Sequence, residues 1–210
     1  MPHPLPSLKS SLQKRLEGAA RIGVLAVGST IRGDDAAGML VADRLEARLQ
    51  IADCKLQIEQ QERSDPSVSG GGAPVPPPVL DVARTGNLKS EMPLVRIFRG
   101  ETAPENLTGE IKTYQPTHLI IIDSAELGLA PGGSALIDPD DLRNGRTFST
   151  HGLPITVMVH YLLNSFSKDA CKVVIIGIQG DCLEFGHPVH PAVSAAAVQL
   201  ADDILAACHV

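Results

Sequence analysis

Arg21-Ile22-Gly23-Val24-Leu25-Ala26-Val27-Gly28-Ser29-Thr30-Ile31-Arg32-Gly33-Asp34-Asp35 is the stretch on which the fold turns. Arg21 to Val27 is short, apolar and closed by Gly28, the pattern of a strand buried on both faces. A Gly-bounded turn follows. From about Asp34 to Gln50 the spacing then becomes helical, with Gly38, Val41, Leu45 and Leu49 on one stripe and Asp43, Arg44, Glu46 and Arg48 toward water. Strand, turn and helix are the first half of a βαβ unit.

Working outward, Leu94–Phe98, His118–Asp123, Gly133–Ile137 and Lys172–Ile178 read as further strands. Ser149-Thr150-His151 leads into a helix with Pro154 in its first turn, where the missing N–H costs nothing. The last helix runs from Val189 to about Ala207, with Val193, Ala196, Ala197, Leu200 and Ile204 inward. Before the opening strand, Ser7 caps a short helix carrying Leu8, Leu12 and Leu16 on one stripe, and Gly18 ends it. The alternation predicts an α/β fold: a doubly wound, mostly parallel twisted sheet with helices on both faces, in three layers. Residues 1–210 form one domain in this reading. Residues 52–93 interrupt the rhythm with Ser69-Gly70-Gly71-Gly72-Ala73-Pro74 and Pro76-Pro77-Pro78. They are expected to form a flexible surface insertion, with one short strand at Lys55–Glu59.

Composition supports a globular chain: 210 residues, 43% hydrophobic and 20% charged. Aromatic residues make up only 3%, so the core must be built from Ile, Leu, Val and Ala. A formal net charge of −6 argues against nonspecific nucleic-acid binding, which needs a basic surface. Cys54, Cys171, Cys182 and Cys208 form no CxxC pair and are expected to be reduced, mostly buried thiols. No signal-peptide run and no bilayer-spanning stretch is visible, so the expected location is the cytoplasm.

Ligands in such folds bind outside the carboxyl ends of the strands. Asp34 and Asp35 lie just beyond the first strand, Asp123 ends an apolar strand, and His151 stands at a loop-to-helix junction. Each has an ordinary structural use as well. Asp34 suits a helix N-cap, Asp35 suits the first helical turn, Asp123 could cap the next turn, and a lone His is often only solvated. Two carboxylates and an imidazole would suit zinc, nickel or another divalent ion with water in the open positions. Phosphate binding fits poorly. Gly28 and Gly33 give neither GxGxxG nor GxxxxGK[ST], and two Asp at the helix start would repel the anion. No GxSxG elbow supports a serine triad.

At these residues the chain resembles the hydrogenase maturation endopeptidases, especially those serving the hydrogenase of formate hydrogenlyase complexes. Val24 to Gly38 resembles the family's opening strand, Gly-Asn turn and acidic pair. Gly100-Glu101-Thr102-Ala103-Pro104-Glu105-Asn106 resembles its Gly-rich turn after strand two. Ile122 to Gly132 and Ile137-Asp138-Pro139-Asp140-Asp141 resemble the next blocks, Ser149 to Pro154 the histidine block, and Gly177-Ile178-Gln179 the strand near the end. The blocks recur in family order.

The resemblance implies a monomeric endopeptidase that removes a C-terminal extension from the large-subunit precursor of a nickel–iron hydrogenase. It implies Asp35, Asp123 and His151 as metal ligands, with Asp35 and Asp123 catalytic in an aspartic-type assignment. Ser29, Asp34, Thr102, Ala103, Pro104 and Thr150 would contact substrate. Nickel would be held by the substrate and sensed at this site, though another divalent ion could occupy it. No nucleic acid or membrane is implied. The chain departs from the family pattern where Ser29 replaces Asn, Ala36 replaces Gly and Arg99 replaces an acid. The competing reading is a noncatalytic maturation factor that binds metal or a hydrogenase subunit on the same fold; cleavage of a nickel-loaded precursor separates the two.

Overall fold

The computed structural model describes residues 7–64, 94–138, 159, 161–162, 164, 166 and 170–208, with side chains omitted for 52–64. The chain forms α1 (Leu8–Arg15), β1 (Arg21–Val27), a 3-10 turn (Gly33–Ala36) and α2 (Ala37–Ser64). Next come β2 (Leu94–Glu101), a second 3-10 turn (Pro104–Leu107), α3 (Thr108–Tyr114), β3 (His118–Ala125) and β4 (Ser134–Ile137). The chain closes with β5 (Lys172–Gln179) and α4 (Pro191–Ala207). The five strands lie in the order β2-β1-β3-β5-β4. All neighbours are parallel except β4, which runs antiparallel to β5. The expected mostly parallel α/β sheet is the one observed.

The pleat sorts the apolar residues onto two faces. Ile22, Val24, Ile120, Ile122, Val174 and Ile176 pack under α1, α2 and α4. Leu25, Val27, Leu119, Ile121, Val173 and Ile175 pack with Ile111 of α3 and with Val159 and Leu162 on the other face. These side chains are aliphatic, as the scarcity of aromatics requires. The α1 stripe packs on the domain's own body: Leu12 and Leu16 are buried, and Leu8 is partly so. Ser7 caps that helix by accepting the Ser10 N–H, at 3.3 Å.

Two expectations change. Lys55–Glu59 is not a strand but the continuation of α2, which runs on to Ser64. Extending an existing helix adds a hydrogen bond per residue without a new nucleus, whereas an isolated strand would need a partner. Second, β3 does not stop at Asp123: Ser124 and Ala125 stay in register with Ile178 and Gln179. Asp123 therefore stands inside the last turn of pairing, opposite Gly177. The remainder of the 52–93 insertion, beyond Ser64, lies outside the described residues.

The sheet order gives the molecule a switch point. From β1 the chain moves outward to β2, then returns across β1 to begin β3 on the other side. The carboxyl ends of β1 and β3 are neighbours from which the connections part, the usual crevice for a ligand in an open α/β sheet.

Candidate functional site

Gly28 begins the site with φ +128°, a conformation that side chains rarely adopt. A Cβ here would overlap the Asp35 carbonyl oxygen. The backbone thus folds back on itself, and the Ser29 N–H donates to Asp35 Oδ2 at 3.1 Å. The Gly28 N–H donates to the Glu101 carbonyl at 2.9 Å, tying the turn after β1 to the end of β2. Between Ala26 and Val27 the β1–β2 register slips, and Glu101 turns the chain with φ +47°. Irregularities of this kind re-aim a chain at a strand end.

Helix α2 begins almost on top of the two strand ends. A Cβ on Gly38 would overlap the carbonyl oxygens of both Val27 and Ile122. This close approach carries Asp35, in the 3-10 turn before the helix, to the end of β3. The Ser124 hydroxyl donates to Asp35 Oδ1 at 3.1 Å. Asp35 is 2% exposed, and Asp123 and Ser124 are buried too. Continuing the β3 alternation puts Ser124 on the α2 face with Ile120 and Ile122, and Asp123 on the α3 face with Leu119 and Ile121. The two carboxylates therefore reach the rim from opposite sides of the sheet. Buried carboxylates are costly unless supplied with donors, which makes these two the candidate site.

Asp34 does not cap the helix. Arg32 occupies the cap position of the 3-10 turn, and the Asp34 carboxylate turns to the loop after β5. Its Oδ2 accepts the N–H groups of Asp181 (2.8 Å) and Cys182 (3.2 Å), and its Oδ1 accepts the N–H of His190 (2.6 Å). The Asp34 N–H donates back to the Cys182 carbonyl at 2.8 Å. Gly33 is required beside it, since a Cβ there would overlap the same carbonyl oxygen. Asp34 is therefore a clasp between the β1–α2 turn and residues 181–190.

Gln179, at the end of β5, makes a second clasp. Its Oε1 accepts the N–H groups of Leu127 (2.7 Å) and Leu129 (3.3 Å), fixing the loop that leaves β3. Ser124, Ala125, Glu126, Gln179, Gly180, Asp181 and Leu183 line a small hollow between these loops, beside Asp35's hydroxyl donor. Of the other candidate residues, Ser29 is buried in the β1 turn, while Thr102 is exposed, Ala103 half-buried and Pro104 buried after β2. The Glu101–Gly28 bond brings that second turn alongside the first. Thr150 and His151 lie outside the described residues. Among the described residues no group of three His, Cys, Asp or Glu side chains is arranged to hold a metal ion. Ser124 and Gln179 are site-building residues that no motif in the sequence marks. Their signal was position: each falls at the end of an apolar strand next to the rim.

Arg99 bonds Asp43 at 2.7 Å and Glu46 at 3.2 Å on α2. Partial burial would lower its pKa, but the two acids outweigh that and raise it. An exposed pair of this kind contributes at most about 1 kcal/mol.

Known proteins resemble this chain in sequence and in fold. The hydrogenase 3 maturation protease of Escherichia coli K12 is 28% identical over 166 residues, 79% of this chain and 77% of that protein. A putative hydrogenase maturation protease of Methanocaldococcus jannaschii is 25% identical over 178 residues, 85% and 83% of the two chains. In fold, the chain is similar to the crystal structure of the [NiFe] hydrogenase maturation protease HycI from Thermococcus kodakarensis KOD1, with a TM-score of 0.66 and 23% identity over 95% of this chain and 99% of that one. The E. coli hydrogenase maturating endopeptidase HybD gives a TM-score of 0.58 at 22% identity, over 90% and 92%. Residues 83–207, more than half of the chain, match the HycI family itself, a stretch that includes Asp123 and the clasped loop after β5. Sequence match and sheet order meet in one conclusion: the chain belongs to the hydrogenase maturation protease family.

Proposed function

We propose that this protease removes the C-terminal extension of a nickel–iron hydrogenase large-subunit precursor once nickel has been inserted. In this reading it acts as a cytoplasmic monomer, with Asp35, Asp123 and His151 meeting the substrate's nickel. The observation that carries it is a pair of buried carboxylates, Asp35 and Asp123, at the carboxyl ends of adjacent parallel strands in a chain of this family. Oxygen donors of this kind suit a divalent ion of borderline hardness, with an imidazole completing the set. Nickel belongs to the substrate here and is what the site reads.

The chain's own residues do the positioning. The Ser29 N–H and Ser124 O–H orient Asp35, and the clasps of Asp34 and Gln179 hold the loops on either side of the hollow. A precursor carrying nickel then gains binding energy that a nickel-free precursor lacks, and that difference licenses the cut. In the aspartic-type assignment an Asp carboxylate takes a proton from the attacking water. The test is incubation of the purified protein with nickel-loaded precursor, followed by mass spectrometry of the large subunit. Loss of the C-terminal peptide is the expected result; binding of the precursor without cleavage would overturn the proposal.

A further inference from the structure

Among the described residues, the buried Asp35 carboxylate accepts a donor at each oxygen. The Ser29 N–H on Oδ2 is backbone and comes with the Gly28 turn. The Ser124 hydroxyl on Oδ1 is a side chain from another strand, 89 residues away in sequence. The terminal torsion of an Asp side chain is broad and roughly two-fold, so a donor placed on each oxygen narrows the orientation of the carboxylate plane. We propose that Ser124 is a positioning residue, whose hydroxyl sets the orientation in which Asp35 meets the metal presented by the precursor. The proposal rests on the nickel-sensing reading above.

Three observations carry it besides the bond itself. Ser124 is fully buried, so its hydroxyl cannot satisfy itself with bulk water and stays on its protein partners. The β3 pleat gives the α2 face to Ser124 and the opposite face to Asp123, so one strand end serves both carboxylates. Gly38 fixes the distance between α2 and β3 by backbone contact, so the Ser124–Asp35 geometry is not adjustable by sliding the helix. Metal–ligand bonds are directional, and the partners that orient a ligand commonly govern affinity as strongly as tenfold or more.

The experiment uses the full chain and two probes, purified precursor with nickel and without it. Binding is followed on a time scale shorter than cleavage for wild type, Ser124→Ala and Ser124→Thr, with a melting temperature for each. Wild type should prefer the nickel-loaded form. Ser124→Ala should cut that preference by roughly tenfold, the scale of a hydrogen bond to a charged acceptor. Its affinity for nickel-free precursor should fall less than its affinity for the loaded form. Ser124→Thr, which keeps the hydroxyl, should recover most of the preference. A residue with only a packing role would shift both affinities together. Ser124→Ala with an undiminished preference overturns the proposal while the nickel-sensing reading stands. Absence of any preference in wild type removes that reading and the proposal with it. If Ser124→Ala does not fold, Ser124→Cys, close in shape with a weaker donor, should fall between wild type and loss.

Discussion

Gly38 shows how much a single missing methyl group can decide. With a Cβ overlapping the carbonyl oxygens of Val27 and Ile122, neither of which can rotate away, α2 would have to lift from the strand ends. Overpacking usually costs 1–3 kcal/mol, and immovable backbone neighbours put this case at about 3 kcal/mol. Gly38→Ala should therefore lower the melting temperature and, by moving Asp35 away from Ser124, reduce processing in an assay normalised to folded protein. His118 sets a different residue-scale effect. It is buried at the start of β3, beside the Thr117 hydroxyl, and burial, aided by Lys172, lowers its pKa below the ordinary value. The unfolded chain then binds the extra proton near pH 6.5 while the folded chain resists it until lower pH. Stability should be full above about pH 6.5 and fall as pH drops below it, toward the folded pKa. Urea titrations across that range, with His118→Gln giving a flatter curve, check the sign.

Elements were legible to the extent that their signal is local. Buried parallel strands read as unbroken apolar runs, and β1, β3 and β5 were found within two residues of their ends. Lys55-Leu56-Gln57-Ile58-Glu59 alternates with period two, yet every residue except Ile58 is a good helix former and the segment inherits a helix already begun. The clasp of Asp34 was illegible for another reason. Its three partners lie 147, 148 and 156 residues away, and an Asp before a helix looks the same in sequence whether it caps or reaches. Asp34→Ala would leave three backbone donors to find new partners, at about 3 kcal/mol or more in total. Amide exchange at Asp181, Cys182 and His190 should speed up in that variant, while exchange in β1 and β3 changes little.

At the scale of the whole molecule, the order β2-β1-β3-β5-β4 makes the site, because it sets the ends of β1 and β3 side by side while their connections diverge. The mostly parallel doubly wound sheet followed from the alternation of strands and helices; the strand order itself did not. Nor did the pairing of Asp35 with Ser124, since it depends on how closely α2 approaches the sheet. The serine in the described site, Ser124, spends its hydroxyl on orienting Asp35, and the proposed chemistry depends on the metal that arrives with the substrate. A switch from mostly uncleaved to mostly cleaved precursor needs several kcal/mol of differential binding, within reach of a metal–ligand bond and beyond a surface ion pair. The free tail peptide should therefore resist hydrolysis with or without added nickel, as followed by chromatography. Asp35→Asn and His151→Ala should each abolish processing of loaded precursor while circular dichroism and melting temperature stay near wild type. Efficient cutting of nickel-free precursor would defeat the gating.

The clasp of Asp34 is written in two different alphabets. On its own side it needs one side chain, an aspartate with two acceptor oxygens at one position. On the other side it engages only N–H groups, which any residue but proline supplies. The loop from Asp181 to His190 can thus exchange its side chains over generations without loosening its hold on the sheet. A protease that must follow a drifting substrate could retune that surface one residue at a time, while a single acid keeps it in place.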